Sequence, residues 1–297
     1  MQDYRPRGFQ VLPPVVKNLL IINVLFVLAQ FAIGKFGIDI ADYLGLHYWR
    51  SEHFRPWQFI THMFLHGSYK SVDLTVMHIF SNMFALWMFG STLENTWGPK
   101  RFIIFYLICG VGAAICHLGV LGYQYETLNN AFHAYQANPT IDQYQLFLKK
   151  NIALPPTTQG GADAWNHFLA WQQNPSSIDM SNDSKAMLYR YMYGYTDFST
   201  GKHLEGIFDE ATVGASGAVF GVLFAFGYLF PNTLLYLYFF VPVKAKWFIA
   251  AYALFELYAG IQNTAGDNVA HFAHLGGMLS AFILLKIWNK RNRRHFY

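Results

Sequence analysis

Residues 214–221 read GASGAVFG, a run of small residues that holds one serine and lies within a long uncharged stretch, residues 211–243. Gly217 and Gly221 are four residues apart, so they share one face of a helix. Because that face lacks side chains, a second helix backbone can approach it closely, as in the small-xxx-small motifs of membrane helices. We therefore predict a membrane-spanning helix with Ser216 at one end and a partner helix packed tightly beside it.

Five further stretches of the chain have the same apolar character. Each approaches the roughly 20 residues that a helix needs to cross the hydrocarbon core of a bilayer. They cover residues 19–34, 76–93, 102–124, 247–263 and 268–285. The uncharged stretch itself is interrupted at Pro231, so we expect one span before that residue and a loop or re-entrant segment after it. With 54% hydrophobic and 13% charged residues, the chain is predicted to be an all-α polytopic membrane protein with a bundle of six helices.

A polar insert separates the third span from the fourth. It is rich in Asn, Gln, Asp and Tyr, and we expect short helices in it over residues 131–151 and 162–173. The predicted organisation is a cytoplasmic N-terminal segment at 1–17, spans one to three at 18–122, the insert at 125–210, spans four to six at 211–290 and a basic cytoplasmic tail at 291–297. Residues 39–75 form an external connection whose aromatic residues favour the membrane interface, with an amphipathic helix around Phe59 and Met63.

Basic residues predict the orientation, because Lys and Arg near span ends are retained on the cytoplasmic side. Six spans place both termini on one side, and that side holds most of the basic residues that lie in short segments. They are Arg5, Arg7, Lys17, Lys100, Arg101, Lys244, Lys246, Lys286, Lys290, Arg291, Arg293 and Arg294. We therefore expect cytoplasmic termini, an insert on the external or periplasmic side, and contact of the basic tail with membrane lipid rather than with nucleic acid.

The last span carries a surface that matches the GASGAVFG stretch. His274 is followed by Gly277 and Ala281 at three and seven residues, on the same helix face. If the two faces meet, the Ser216 hydroxyl comes within about 2.6 to 3.2 Å of the imidazole, the distance at which a serine can lose its proton to a base. This spacing predicts a nucleophile and base pair built from two helices.

His271, one helical turn before His274, is the alternative base. The positions that follow it at helical spacing are bulky and include Leu275 and Met278. Side chains of that size oppose close helix approach, so we favour His274. His271 is then expected one turn nearer the external surface.

A third polar group lies in the second span, where residues 78–82 read HIFSN. His78 and Asn82 lie on one helix face, and both can donate hydrogen bonds to an oxyanion. One such donor contributes roughly 3 kcal/mol of transition-state stabilisation. The other interpretation of this pair is a hydrogen bond that joins two helices, and each of the three motifs alone is also compatible with simple packing.

Together, the GASGAVFG stretch, residues 273–277 (AHLGG) and residues 78–82 resemble the three signature motifs of rhomboid proteases, in the order of that family. The segments 94–101 and 55–58 agree more weakly, and the likeness covers roughly residues 15–122 and 211–290. The resemblance implies a Ser-His dyad without an acidic third member and an oxyanion site made by the Ser216 backbone N–H with His78 and Asn82. It further implies structural roles for a second set of residues, namely Gly214, Gly217, Gly221, Gly277, Glu94 and Arg101. The implied substrates are single-span membrane proteins.

Two other functions compete with the protease. One is a catalytically silent rhomboid-fold protein that binds membrane helices, against which the presence of both Ser216 and His274 argues. The other is a transporter or channel, although the chain shows no repeated halves of the kind common in transporters. The sequence leaves the oligomeric state open.

Metal and cofactor chemistry is not expected from the sequence. His62, His66, His117 and His203 lack the spacing to acidic or cysteine partners that is typical of a zinc site. Cys109 and Cys116 lie in one apolar span and are predicted to be packing residues. Glu256 is an ionisable residue at membrane depth, which indicates a functional role, but the sequence assigns it no partner.

Overall fold

The computed structural model describes residues 8–152, 154–156, 158–176, 178–197, 202–204, 206–237, 240–262 and 270–293. Its helices are α1 (Pro14–Gly34), α2 (Ala41–Leu44), α3 (Gln58–Thr61), α4 (Val72–Ala85), α5 (Ser91–Trp97), α6 (Pro99–Ala137), α7 (Ile141–Asn151), α8 (Gln159–Gln173), α9 (Ile178–Tyr193), α10 (Ser216–Leu229), α11 (Ala245–Gln262) and α12 (His271–Arg293). A 3-10 turn (His62–Phe64) follows α3, and a π turn (Leu86–Gly90) joins α4 to α5.

Four helical segments are long and apolar enough to cross a membrane, namely Pro14–Gly34, Val72–Trp97, Pro99–Ala137 and His271–Asn289. α10 is also apolar, but its 14 residues extend about 21 Å against a hydrocarbon core of about 30 Å. α11 has 18 residues and carries two charged side chains, Lys246 and Glu256. Within the described residues, each of the six predicted spans contains a helix, and the chain is an all-α polytopic membrane protein.

Small residues hold α10 against α6 and α12. A Cβ added at Gly277 of α12 would overlap the Gly217 carbonyl of α10, and one added at Gly221 would lie 2.6 Å from the Cβ of Cys109 on α6. A Cβ at Gly276 would lie 2.5 Å from the Cβ of Cys116. The close approach predicted for the two glycine faces is confirmed. The two cysteines of α6 pack beside them, Cys109 against α10 and Cys116 against α12.

The insert builds a second hydrophobic core. α6 continues past the predicted end of the third span to Ala137, and Thr140 and Thr158 cap the starts of α7 and α8 by accepting from backbone N–H groups. The end of α6, with α7 and α8, falls where short helices were expected, and α9 is an addition. The core is made of Leu128, Phe132, Tyr135, Tyr144, Phe147, Leu148, Ile152, Ala164, Phe168, Trp171, Leu188, Tyr191 and Met192.

The connection at 39–75 packs against the base of the insert. Tyr48 stacks on Tyr125 with ring centroids 5.2 Å apart, and Arg50 pairs with Glu126 at 3.0 Å. The amphipathic helix expected here is short, because α3 and the 3-10 turn together cover only Gln58 to Phe64 before the chain becomes extended.

Among the described residues, two hairpins interrupt the helices. β1 (Tyr195–Asp197) pairs antiparallel with β2 (Lys202–Leu204), and β3 (Leu234–Leu237) pairs antiparallel with β4 (Val241–Lys244). The second hairpin occupies the place where a loop or re-entrant segment was expected. β4 leads directly into α11, so the hairpin forms most of the connection between the fourth and fifth spans.

Some predicted boundaries lie outside the described residues. These are residues 1–7 of the N-terminal segment, 263 and 268–269 at the fifth and sixth spans, and 294–297 of the tail. Within the described part, α1 starts at Pro14 and therefore includes the last residues of the predicted N-terminal segment, and α12 includes residues 291–293 of the predicted tail.

Candidate active site

Ser216 is the first residue of α10 and follows a tight turn at Gly214. Gly214 has a φ of 136°, in the region that favours glycine. A Cβ at this position would lie 3.1 Å from the imidazole of His78 and 3.5 Å from the Oγ of Ser216. The glycine therefore lets the His78 ring, which belongs to α4, approach the start of α10.

His274 lies within hydrogen-bonding distance of Ser216. Its Nε2 is 2.8 Å from the Ser216 Oγ, and its ring stacks on Phe220 with centroids 4.0 Å apart and planes 5° apart. Phe220 is four residues after Ser216 and so lies on the same face of α10. The structure therefore brings together the two predicted residues, and it adds an aromatic platform that the sequence analysis did not single out.

Glu256 reaches the other side of the same imidazole. Its Oε2 lies 2.8 Å from the Nδ1 of His274 and 2.7 Å from the Nδ1 of His271. All three side chains are buried. The resemblance implied a dyad without an acidic member, and the sequence assigned Glu256 no partner, but the structure gives this carboxylate two imidazole partners. His271 contacts the carboxylate, and it is His274 whose Nε2 meets the serine.

Two of the three predicted oxyanion donors, the Ser216 backbone N–H and His78, lie at the start of α10. As the first residue of α10, Ser216 has a backbone N–H without a partner inside the helix. The His78 ring packs edge-on against His66 with centroids 5.1 Å apart. Asn82 is buried one turn further along α4, and its Nδ2 donates to the His78 carbonyl at 2.9 Å. His78 thus lies beside the start of α10, while the Asn82 amide is bonded within its own helix.

A cavity of about 20 Å³ lies next to Ser216, enough for one water molecule. Its polar lining includes His62, His117 and Thr212, and His117 Nε2 is 2.8 Å from Thr212 Oγ1. His62 donates from Nδ1 to the Gln58 carbonyl at 2.7 Å, which leaves Nε2 as an acceptor. Burial lowers the pKa of His62 to about 4, so this ring is neutral at pH 7.

Glu94 and Arg101 lie outside these motifs in the sequence, and each links two helices. The two Glu94 carboxylate oxygens accept from the backbone N–H groups of Val15 and Val16, at 2.9 and 2.8 Å. The Arg101 guanidinium lies 4.1 Å above the Trp288 ring. Glu94 therefore fixes the start of α1, and Arg101 fixes the far end of α12.

Three side chains of the site could in principle bind a metal ion. One ligand atom each from Glu256, His271 and His274 lies within 4.8 Å of the others. Among the histidines considered from the sequence, His66 pairs with Asn23 at 2.8 Å, while the side chain of His203 lies outside the described residues.

A family model described as Rhomboid domain matches residues 53–132 and 180–291, which together make up well over half of the chain. The two matched segments contain His78, Asn82, Ser216 and His274, and they leave out the middle of the insert. No curated protein matches the chain.

Proposed function

The chain belongs to the rhomboid family, and from this premise we propose that it is an intramembrane serine endopeptidase that cleaves membrane-anchored protein substrates. One observation carries the proposal, namely the 2.8 Å contact between the Ser216 Oγ and the His274 Nε2. This is the distance and the pairing that a serine nucleophile and its general base require.

The reaction begins with the transfer of the Ser216 hydroxyl proton to the Nε2 of His274. The Oγ then forms a bond to the substrate carbonyl carbon, and the proton on Nε2 passes to the leaving amine as the peptide C–N bond breaks. An acyl-enzyme on Ser216 remains. Stacking on Phe220 holds the imidazole in the plane that both transfers need, because the ring cannot tilt without losing that contact.

The negative charge on the carbonyl oxygen is stabilised by donors next to the serine. The first is the backbone N–H of Ser216 at the start of α10, where the helix dipole also favours an anion. His78 lies beside Gly214 and is the second donor, with Asn82 as the third once its amide turns away from the His78 carbonyl. Each donor is expected to lower the barrier by about 3 kcal/mol.

Water for the second half of the reaction has a place in the cavity beside Ser216. The neutral His62 presents an acceptor nitrogen there, and His117 and Thr212 supply further polar atoms. A water molecule held by two to four such groups is well ordered. His274 removes a proton from this water at Nε2, and the water oxygen bonds to the acyl carbon. The ester bond to Ser216 then breaks as Nε2 returns the proton to the Ser216 Oγ.

The length of α10 supports a site below the membrane surface. A helix of about 21 Å that begins at Ser216 leaves the serine some 10 Å inside a core of 30 Å if its other end lies at the interface. The basic residues favour cytoplasmic termini, so the site opens toward the external or periplasmic side, under the insert. The fitting substrates are single-span proteins whose helix unwinds near that side.

The test is cleavage of a single-span substrate in proteoliposomes by the wild type and the Ser216→Ala variant. Ser280→Ala is the matched control, because Ser280 lies on α12 and donates to the carbonyl of its own helix at Gly276. We expect Ser216→Ala to abolish both cleavage and covalent labelling by a fluorophosphonate, and Ser280→Ala to retain them. Cleavage by Ser216→Ala at the wild-type rate would refute the proposal, and binding of substrate without cleavage by the wild type would favour the silent rhomboid-fold protein.

A further inference from the structure

We propose that Glu256 is a positioning residue of the active site, which orients His274 and stabilises its protonated form, so that the protein works with a Ser-His-Glu triad. The inference rests on the proposed protease function. It concerns a residue that comes from a third helix, α11, and that neither the sequence motifs nor the family match assigns to the site.

The three side chains form one continuous hydrogen-bonded line. Ser216 Oγ is 2.8 Å from His274 Nε2, and the Nδ1 of the same ring is 2.8 Å from Glu256 Oε2. A neutral imidazole carries one proton, and a carboxylate accepts but does not donate. The geometry therefore selects the tautomer with hydrogen on Nδ1, which leaves the Nε2 lone pair directed at the serine hydroxyl.

The placement of Glu256 within α11 supports a specific role. Of the residues of this helix, all of which the structure describes, Ala245, Ile249 and Glu256 are buried. Large apolar residues next to Glu256, such as Phe255 and Leu257, are exposed on the helix surface that faces lipid. α11 thus turns its acidic side chain toward α12, although a carboxylate at membrane depth is costly unless it is paired.

His271 gives the carboxylate its second partner. Its Nδ1 lies 2.7 Å from the same Oε2 that meets His274. Two donors on one oxygen fix the carboxylate in position and compensate for its removal from water. When His274 takes the serine proton, the positive charge forms 2.8 Å from an oxygen that is already held in place, so little reorganisation is needed.

A bound metal ion explains these distances less well. Ligand atoms at 2.0 to 2.1 Å from a tetrahedral zinc lie about 3.3 Å from one another. The two observed separations, 2.7 and 2.8 Å, are shorter than that and match direct hydrogen bonds. The cluster therefore fits a carboxylate shared by two imidazoles.

The experiment compares the wild type with Glu256→Gln, Glu256→Asp and Ser216→Ala in proteoliposomes between pH 5 and 9. For Glu256→Gln we expect kcat to fall about 10²- to 10⁴-fold with little change in KM. We also expect the acid limb of the kcat/KM profile to move to lower pH, because the imidazolium loses its negative neighbour. Glu256→Asp restores the charge and should bring the acid limb back toward its wild-type position.

Glu94→Gln is the matched control, because it removes another buried carboxylate that bonds only to the backbone of α1 in the described part of the chain. It should lower stability without moving the acid limb. The other titratable side chains around His274, namely His78, His117, His271 and Tyr252, are the same in all these variants. A shift found with Glu256→Gln alone is therefore due to the lost carboxylate.

The outcomes separate this inference from the proposed function. If Ser216→Ala is inactive but Glu256→Gln has the kcat and pH profile of the wild type, the triad is overturned and the proposed protease function still holds. Cleavage by Ser216→Ala would instead refute the proposed protease function itself. Loss of activity on treatment with EDTA, with recovery on addition of Zn²⁺, would show a metal site and overturn the triad.

A measurement on the wild type covers the case in which Glu256→Gln does not fold. Solid-state NMR of ¹⁵N-histidine-labelled protein in lipid reports which ring nitrogen of His274 carries the proton, with the resonance assigned from a His274→Asn sample. A proton on Nδ1 at neutral pH supports the inference, and a proton on Nε2 overturns it.

Discussion

Replacement of Glu94 by Gln tests how the first span is anchored. α1 begins with Pro14, which has no N–H, so the first two donors of the helix belong to Val15 and Val16, and both bond to the buried Glu94 carboxylate at 2.9 and 2.8 Å. Hydrogen bonds to a charged group contribute about 1.5 to 3 kcal/mol each. Gln keeps one acceptor but turns an N–H toward the other donor, and it removes the charge that the helix dipole favours. We expect the free energy of unfolding to fall by about 2 to 4 kcal/mol.

The assay is unfolding in detergent micelles, followed by circular dichroism. Glu126→Gln is the control, because Glu126 and its partner Arg50 are each about half exposed, at 51% and 54%, and exposed ion pairs contribute little. If Glu94→Gln and Glu126→Gln unfold with the same free energy as the wild type, the Glu94 carboxylate does not cap α1 and the reasoning is wrong.

Two further predictions concern the helix interface and the cavity. Gly277→Ala places a methyl group against the Gly217 carbonyl, a backbone group that cannot move aside, so the two helices must separate. We expect the cleavage rate to fall at least about 100-fold. The control is Gly119→Ala, whose methyl group meets no atom within 4 Å and should leave the cleavage rate unchanged. Because burial lowers the pKa of His62 from 6.5 to about 4, the folded state binds its proton less readily, and stability should be fully present above pH 6.5 and decline toward pH 4. In His62→Gln, the slope of the unfolding free energy against pH between pH 4 and 6.5 should fall by an amount that corresponds to up to one bound proton. An unchanged slope would contradict the lowered pKa of His62.

The membrane part of the fold follows closely from the sequence, because lipid requires apolar helices of a fixed length. The meeting of Ser216 with His274 was also predictable, since glycine spacing on each helix determines which faces approach. The roles of these residues, with those of His78 and Asn82, stay predictions until activity is measured.

The partners of Glu256 could not be derived in the same way. Helical spacing relates residues within one helix, but the rotation of α11 about its own axis depends on packing against α12. A glutamate in an apolar span indicates that a polar side chain of another helix faces it. His271 and His274, three residues apart on the next span, were the candidate partners that the sequence offered. Only the folded arrangement shows that both rings meet one carboxylate oxygen.

The extent of α6 was underestimated for a different reason. A rule based on membrane thickness ends a span after about 20 residues, and the polar residues beyond Gln124 indicated an insert. Tyr125, Leu128, Phe132 and Tyr135 nevertheless recur at intervals of three and four and are all buried. This periodicity continues the helix into the insert core.

That continuity has a practical consequence for imaging a membrane protein of this size. The 39 residues of α6 extend about 58 Å, almost twice the thickness of the hydrocarbon core. Since one unbroken rod enters both the lipid-embedded bundle and the insert, a soluble domain grafted between α7 and α8 would act as a fiducial marker for electron cryomicroscopy, and its direction would report the tilt of the bundle beneath it.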